Sequence, residues 1–257
     1  MMRQIEAFTC DGLPVSTAPL ICDLWTEWFG VGGRELGNPA RRYAATPAGL
    51  STWIAQNDFE RRPGFMSVHY YGAPDRVSRL DRLFFDFDSP NLDQAWRDAR
   101  DFSENLIQFY GVRPLVAFSG RKGFHVYIWL QRPVGGELSP EHLKELYREL
   151  QTMLLRGLSY KTLDRQVLGD VKRLARIPYT RHEKSGRPCV PVDRDRHPVL
   201  LMPGALEAYR MHGLKLDLVR LAAEKVNKRI LEARRPKPRP GKPRGDRRLR
   251  PCMEDFM

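Results

Sequence analysis

Leu83-Phe84-Phe85-Asp86-Phe87-Asp88-Ser89-Pro90 is the stretch on which the fold turns. Read as a strand, it alternates between two faces, so Leu83, Phe85 and Phe87 point into a core while Asp86 and Asp88 share the other side. Two carboxylates on one face suit divalent metal. Hard cations such as magnesium take oxygen ligands, and phosphoryl-transfer sites commonly hold two of them on a few aspartates. Taken alone, the pair equally describes a solvated strand end.

Working outward, Leu92, Ala95, Trp96, Ala99, Phe102, Leu106, Ile107 and Tyr110 form the stripe of an amphipathic helix that covers one sheet face. Pro114 to Phe118 and Phe124 to Leu130 are apolar runs joined by Ser-Gly-Arg-Lys-Gly. They predict a hairpin with a glycine-bearing turn, with His125, Tyr127 and Trp129 on one face. Ser139-Pro140 is an N-cap followed by proline at the first helical position, and Leu143, Leu146, Tyr147, Leu150 and Met153 continue a second packing helix. Cys189 to Val192 reads as a short strand and Gly204 to Ala233 as helical segments. Upstream, Met66 to Tyr71 reads as a strand. The rest of the first eighty residues reads as helical, with Leu20, Ile21, Leu24, Trp25, Trp28 and Phe29 at helical spacing. These aromatics are expected in the core; the alternative is a base-stacking platform of Trp25 and Trp28. The whole reads as an α/β (α+β) fold with a mixed, largely antiparallel sheet flanked by helices.

The 257 residues carry 42% apolar side chains, ample for a core, and a net charge of +12 that suggests a polyanionic partner. From Lys225 to Arg250 twelve Lys and Arg face only Glu232 and Asp246, a local excess of +10 that leaves +2 for the rest. A nucleic-acid footprint on the folded body must therefore come from local clusters such as Arg61 and Arg62, Arg121 and Lys122, or Lys172 to Arg181. From Arg234 the chain is too rich in proline, glycine and like charge to fold, and residues 234–257 are expected to be a basic linker leading to a further domain. Cys10, Cys22, Cys189 and Cys252 show no C-x2-C spacing, so neither structural zinc nor a disulfide framework is predicted. No stretch approaches the ~20 apolar residues of a membrane span and the N-terminus lacks a signal-peptide pattern, so a cytoplasmic setting without membrane contact is expected.

Chemistry gathers at the hairpin and beyond it. Ser119, Arg121, Lys122 and His125 bring a hydroxyl, two cations and an imidazole around a turn whose glycines allow close backbone approach, a natural cradle for triphosphate. Each taken singly also fits an ordinary exposed turn or a satisfied sheet histidine. A third segment, Leu163-Asp164-Arg165-Gln166-Val167 with its sequel to Gly186, combines a further strand carboxylate, Asp164, with Lys172, Arg173, Arg176, Arg181, His182 and Lys184. A solvated basic helix followed by a turn is its plain structural reading.

In this order the three segments resemble the archaeo-eukaryotic primase superfamily: the D-x-D motif, the S-x-x-x-x-x-H form of the second motif, and the third acidic motif with its R-x-P sequel. Phe-Ser-Gly-Arg-Lys-Gly-Phe-His and Arg-Leu-Ala-Arg-Ile-Pro-Tyr-Thr-Arg-His-Glu-Lys-Ser-Gly-Arg resemble the catalytic small subunit of archaeal and eukaryotic primases, over roughly residues 60 to 200. The resemblance implies a primase-type core with an RRM-like unit. It assigns Asp86, Asp88 and Asp164 as ligands of two Mg2+ or Mn2+ ions, with Asp170 the less favoured carboxylate. Ser119, Arg121, Lys122, His125, Arg176 and His182 become nucleotide-binding residues, with Lys184 a weaker member.

The resemblance further implies template-directed transfer of nucleotides from NTP or dNTP to a 3′-hydroxyl, starting and extending primers on single-stranded DNA, with a primer or RNA/DNA hybrid as further partner. Two departures mark a compact version: no cysteine lies between Asp88 and Ser119, and the interval from His125 to Asp164 has room for one helix only. Arg250-Pro251-Cys252-Met253 faintly resembles the opening of the large subunit's iron-sulfur domain, so an accessory domain or large-subunit-like partner is expected. On this reading residues 1–233 form the catalytic domain: a helical part to about 60, the motif-bearing part to about 200, and closing helices at about 204–233. The alternatives are an end-joining or repair polymerase of the same superfamily, and a non-catalytic replication-associated module that holds DNA through its basic tail.

Overall fold

The computed structural model describes residues 18–37, 40–56 and 63–233. Cys10, Arg61, Arg62, Cys252 and the expected linker 234–257 lie outside the described residues, as do the side chains of Leu20 and Ile21. In chain order the elements are α1 (Ala18–Phe29), β1 (Arg34–Gly37), β2 (Arg41–Ala44), α2 (Pro47–Gln56), β3 (Phe65–Ser67), β4 (Tyr70–Ala73) and β5 (Arg76–Asp88). They continue with α3 (Leu92–Tyr110), β6 (Leu115–Phe118), β7 (Gly123–Gly135), α4 (Pro140–Leu155), a 3-10 turn (Arg165–Val167), β8 (Leu174–Arg176), β9 (Val190–Pro191), α5 (Ala205–Met211) and α6 (Leu216–Ala233).

The strands make two sheets, ordered β2-β1-β3-β8 and β4-β5-β7-β6-β9, and every strand pairing within them is antiparallel. The architecture is α+β with largely antiparallel pairing flanked by helices, as expected, and the strands divide between two sheets. The larger sheet holds the RRM-like unit. Strand β5 leads into α3, the hairpin β6–β7 returns beside β5, α4 follows, and the chain then regains the free edge of β5 at Leu163, which bridges Phe87. There Asp88 N donates to Thr162 O at 2.7 Å and Asp164 N to Asp86 O at 2.8 Å. Asp98 on α3 anchors this return by accepting from the Thr162 amide at 3.0 Å and its hydroxyl at 2.9 Å.

Local chemistry accounts for the central elements. Asn91 caps α3 by accepting from the amides of Asp93 and Gln94, and Gly111, at φ 63°, ends it in the left-handed region that favours glycine. Ser139 caps α4 as predicted, with Pro140 beginning the helix. Leu83, Phe85 and Phe87 are fully buried, and Phe85 and Phe87 stack against Phe102 of α3. Burying each such phenyl contributes on the order of 1.5–3 kcal/mol. His125, Tyr127 and Trp129 share the opposite face, where Tyr127 and Trp129 meet Trp28 edge-on at 4.9 and 5.3 Å. Trp25 and Trp28 are thus core residues, not a base-stacking platform.

The N-terminal part departs most from its helical reading. Strands β1 and β2 pair antiparallel where helix was expected, and the expected strand at 66–71 is two strands, β3 and β4. The apolar pattern could not show β1, because its buried residues include Arg34 at 0% and Glu35 at 4% exposure. Arg34 is neutralised by a residue 47 positions away: its Nη2 lies 2.6 Å from Asp81 Oδ2, to which Arg82 also donates at 2.7 Å. This buried Arg-Asp-Arg group ties the smaller sheet to β5, upstream of the aspartate pair.

Candidate active site

Asp86 and Asp88 leave β5 on the face opposite α3, and the register of β5 on β7 sets what they meet: Asp86 stands opposite His125 and Asp88 opposite Gly123. Glycine is needed at 123, since a Cβ there would lie 2.5 Å from Phe87 O and 2.7 Å from Asp88 Oδ1. Lys122, next in the turn, reaches back with Nζ 2.7 Å from Asp88 Oδ2. The turn itself docks on the loop after β8. Gly120, at φ +95°, leaves no room for a Cβ, which would meet His182 Cβ at 2.8 Å and Arg187 O at 2.9 Å; Ser185 Oγ donates to Gly120 O at 2.6 Å.

The result is one cavity of about 180 Å3 lined by Asp86, Asp88, Ser119, Arg121, Lys122, His125, Arg176 and His182, together with Phe65, Phe84, Arg173 and Leu174. Eight of the nine residues singled out from the sequence thus meet around one space. The ninth, Asp164, joins through Arg173, whose Nη2 lies 3.4 Å from both Asp86 Oδ2 and Asp164 Oδ2. Asp164 is not on a strand as expected; it caps the 3-10 turn, accepting from Gln166 N at 2.9 Å. Gln151 of α4, fully buried, holds this segment in place by donating to Phe84 O at 2.9 Å and accepting from Gly169 N at 2.8 Å. Asp170 turns away into a local bond from Lys172 N at 3.1 Å.

Arg173 is the member that sequence reasoning left among several undirected cations, because only the fold shows which of Lys172, Arg173 and Arg176 faces the carboxylates. Lys172 pairs outward with Asp75 at 2.7 Å. Arg176 is nearly buried and fixed, donating to Arg181 O at 2.9 Å and to Glu183 at 2.6 Å, with its guanidinium over the Phe65 ring. Phe65 and Leu174 carried no signal at all, since their role comes from β3 and β8 lying side by side.

Electrostatics mark the carboxylate group. Burial, reinforced by the charges of Asp88 and Asp164 and only partly countered by Arg173, pushes the Asp86 carboxyl up to about 7. Burial, with the charges of Arg176, Arg173 and His182, pushes His125 down to about 3, so its imidazole is neutral at physiological pH. His182 is also lowered, by burial and then Arg176. An anionic cluster whose central member resists ionisation is suited to a multivalent cation, and Arg173 and Lys122 already supply positive charge there. The donor set is all oxygen, as hard cations require.

Elsewhere, one ligand atom each of Asp193, Asp195 and His197 lies within 4.8 Å of the others, a grouping compatible with a metal. It sits beyond β9, and Asp193 Oδ1 already accepts from Asp195 N and His197 N. No helix among the described residues is long and apolar enough to cross a membrane.

No protein-family model matches the chain. Over 137 residues it is 30% identical to the DNA primase small subunit PriS of Saccharolobus islandicus (strain M.14.25 / Kamchatka #1), a match covering 44% of this chain and 38% of the relative. The chain therefore spans about two-fifths of the length of the curated relatives it matches. Among solved structures it is similar to the catalytic domain of primase RepB′ in complex with initiator DNA, with 14% identity, 83% of this chain and 96% of that chain covered, and a TM-score of 0.45. It is similar too to the AEP domain of the cyanophage S-2L primase-polymerase, with 15% identity, 69% and 87% covered, and a TM-score of 0.39. The similarity to the archaeal DNA primase small subunit is thus distant and partial.

Proposed function

We propose that this chain is the catalytic core of a DNA primase or primase-polymerase, which joins NTP or dNTP to a 3′-hydroxyl on a single-stranded DNA template and so initiates and extends primers. The observation that carries the reading is the meeting of Asp86 and Asp88 with Ser119, Arg121, Lys122, His125, Arg176 and His182 around one cavity, with Asp164 linked through Arg173. Asp86, Asp88 and Asp164 would hold Mg2+ or Mn2+. Such ions, when bound, lower the pKa of an attacking hydroxyl and neutralise charge that develops on phosphate oxygens.

The chain's own residues do the rest by position and charge. Arg121, Lys122 and the Ser119 hydroxyl grip the triphosphate tail. Neutral His125 donates its single N–H to a phosphate oxygen, and His182 stands beside it. Arg176, held by Glu183, contributes fixed positive potential. The oxygen–phosphorus bond to the 3′-hydroxyl forms as the bond between the α-phosphorus and the bridging oxygen breaks; pyrophosphate leaves and the hydroxyl proton passes to solvent. Residues 1–233 are the catalytic unit in this reading, 234–257 a basic linker that adds salt-dependent affinity for DNA, and the setting is cytoplasmic, at replicating DNA.

The test is synthesis on unprimed single-stranded DNA with labelled ATP or dATP and Mn2+, comparing the chain with Asp86→Ala. Short products lost in the variant are expected. Extension of a supplied primer without initiation would replace the primase by a repair polymerase, and Asp86→Ala products equal to those of the unaltered chain would sink the metal assignment.

A further inference from the structure

The cavity has two kinds of wall. The aspartates, the hairpin turn and the loop around His182 are charged or polar, whereas β3 and β8 of the smaller sheet contribute the side chains of Phe65 and Leu174. Resting on the nucleotidyl-transfer reading above, we infer that Phe65 and Leu174 are the wall against which the sugar of the incoming nucleotide packs, and that they make the site prefer deoxyribonucleoside triphosphates.

The placement follows from what each wall can bind. The phosphates belong with the cations and the carboxylates, and the α-phosphate is the one joined to the sugar. The sugar must therefore leave the aspartates toward a wall that is not already claimed by charge, and the partly exposed Phe65 and Leu174 are the apolar surface available there; Phe84, the third apolar lining residue, is 1% exposed and lies beneath. The wall is rigid. Phe65 pairs with Arg176 across the strands, and the Arg176 guanidinium sits 4.5 Å from the Phe65 ring centroid, covering one of its faces. Gly37, paired with Phe65 on the other side, has no Cβ because one would lie 2.7 Å from Leu174 Cδ1; its absence lets Leu174 lie flat across β1.

The preference follows from what the wall lacks. A ribose 2′-hydroxyl brought against it loses water and needs a partner. The polar side chains of this wall are engaged elsewhere: Ser67 Oγ donates to His69 O and accepts from Glu35 N, Arg176 Nη1 and Nη2 are bound to Arg181 O and Glu183, and Arg173 Nη2 faces Asp86 and Asp164. Deoxyribose has no hydroxyl to strand.

Two measurements test this on the full chain with Mn2+: the ratio of kcat/KM for dATP over ATP in primer extension, and displacement of a fluorescent dATP analogue from the protein by each nucleotide, which reads binding without turnover. We expect dATP to be favoured about tenfold or more in both, the scale set by one unpartnered buried hydroxyl. Phe65→Ala should narrow the ratio about fivefold, and Leu174→Ala, which leaves the Phe65–Arg176 stack in place, should narrow it in the same direction. Melting curves identify any variant that has lost its fold, and the other variant then carries the test. Equal or better use of ATP by the unaltered chain, or a ratio unmoved in both folded variants, overturns the sugar wall while leaving nucleotidyl transfer standing. Binding and incorporation of neither nucleotide overturns both.

Discussion

Replacing Asp86 by Asn should make the metal-free protein more stable while abolishing its proposed activity. Burial and the neighbouring carboxylates raise the Asp86 carboxyl from 3.8 to about 7. At about 1.4 kcal/mol per pH unit that gap corresponds to roughly 4 kcal/mol, the upper bound on what ionised Asp86 costs the fold. The pull of Arg173 is already contained in that gap, and because the side chain is 17% exposed, solvent screening reduces the figure to about 2 kcal/mol. The sign follows from proton counting: the folded state holds more protons than the unfolded one between pH ~4 and ~7, so stability falls as pH rises through that window. Asn stays neutral throughout. Its advantage should be absent near pH 4, grow toward pH 7 and level off above, reaching about 4–8 °C in melting temperature. Calorimetric melts of both proteins in EDTA from pH 4 to 8 measure this directly. A variant that melts lower at pH 8, or an increment indifferent to pH, would refute the view that unbalanced carboxylate charge is concentrated at Asp86.

Arg173→Gln removes a cation that shares Asp86 and Asp164, so Mn2+ affinity measured by electron paramagnetic resonance should rise several-fold; unchanged affinity would mean that Arg173 does not compete for those oxygens. Asp164→Ala should eliminate primer extension while the protein keeps its fold by circular dichroism. Gly120→Ala must place a Cβ 2.8 Å from His182 and 2.9 Å from a backbone oxygen at φ +95°, and is expected to cost about 1–3 kcal/mol and to raise the KM for nucleotide more than it lowers kcat. Asp81→Ala leaves Arg34 and Arg82 buried without their anion and should cost about 3–5 kcal/mol in denaturant unfolding; a loss under 1 kcal/mol would show that water reaches the group.

Much of the site was legible because its residues are local. Alternation alone put Asp86 and Asp88 on one face, the glycine-flanked turn gathered Ser119, Arg121, Lys122 and His125 within seven positions, and cap chemistry marked the start of α4. The N-terminal hairpin was not legible, because its buried positions carry charge that only Asp81, far along the chain, neutralises. Nor was the orientation of the third segment, which depends on Asp98 and Gln151 catching its backbone.

Periodicity, turn glycines and caps are written in neighbouring residues, which is why the central strand, its two packing helices and the glycine-flanked turn can be read from the chain alone. Folding alone reveals which cation faces the carboxylates, that Asp164 enters as a turn cap on the edge of β5, and that Phe65 and Leu174 complete the cavity. Those facts belong to pairings between segments distant in the chain, such as β3 with β8 and residues 162–164 with β5, and no local pattern encodes a neighbour that arrives from elsewhere.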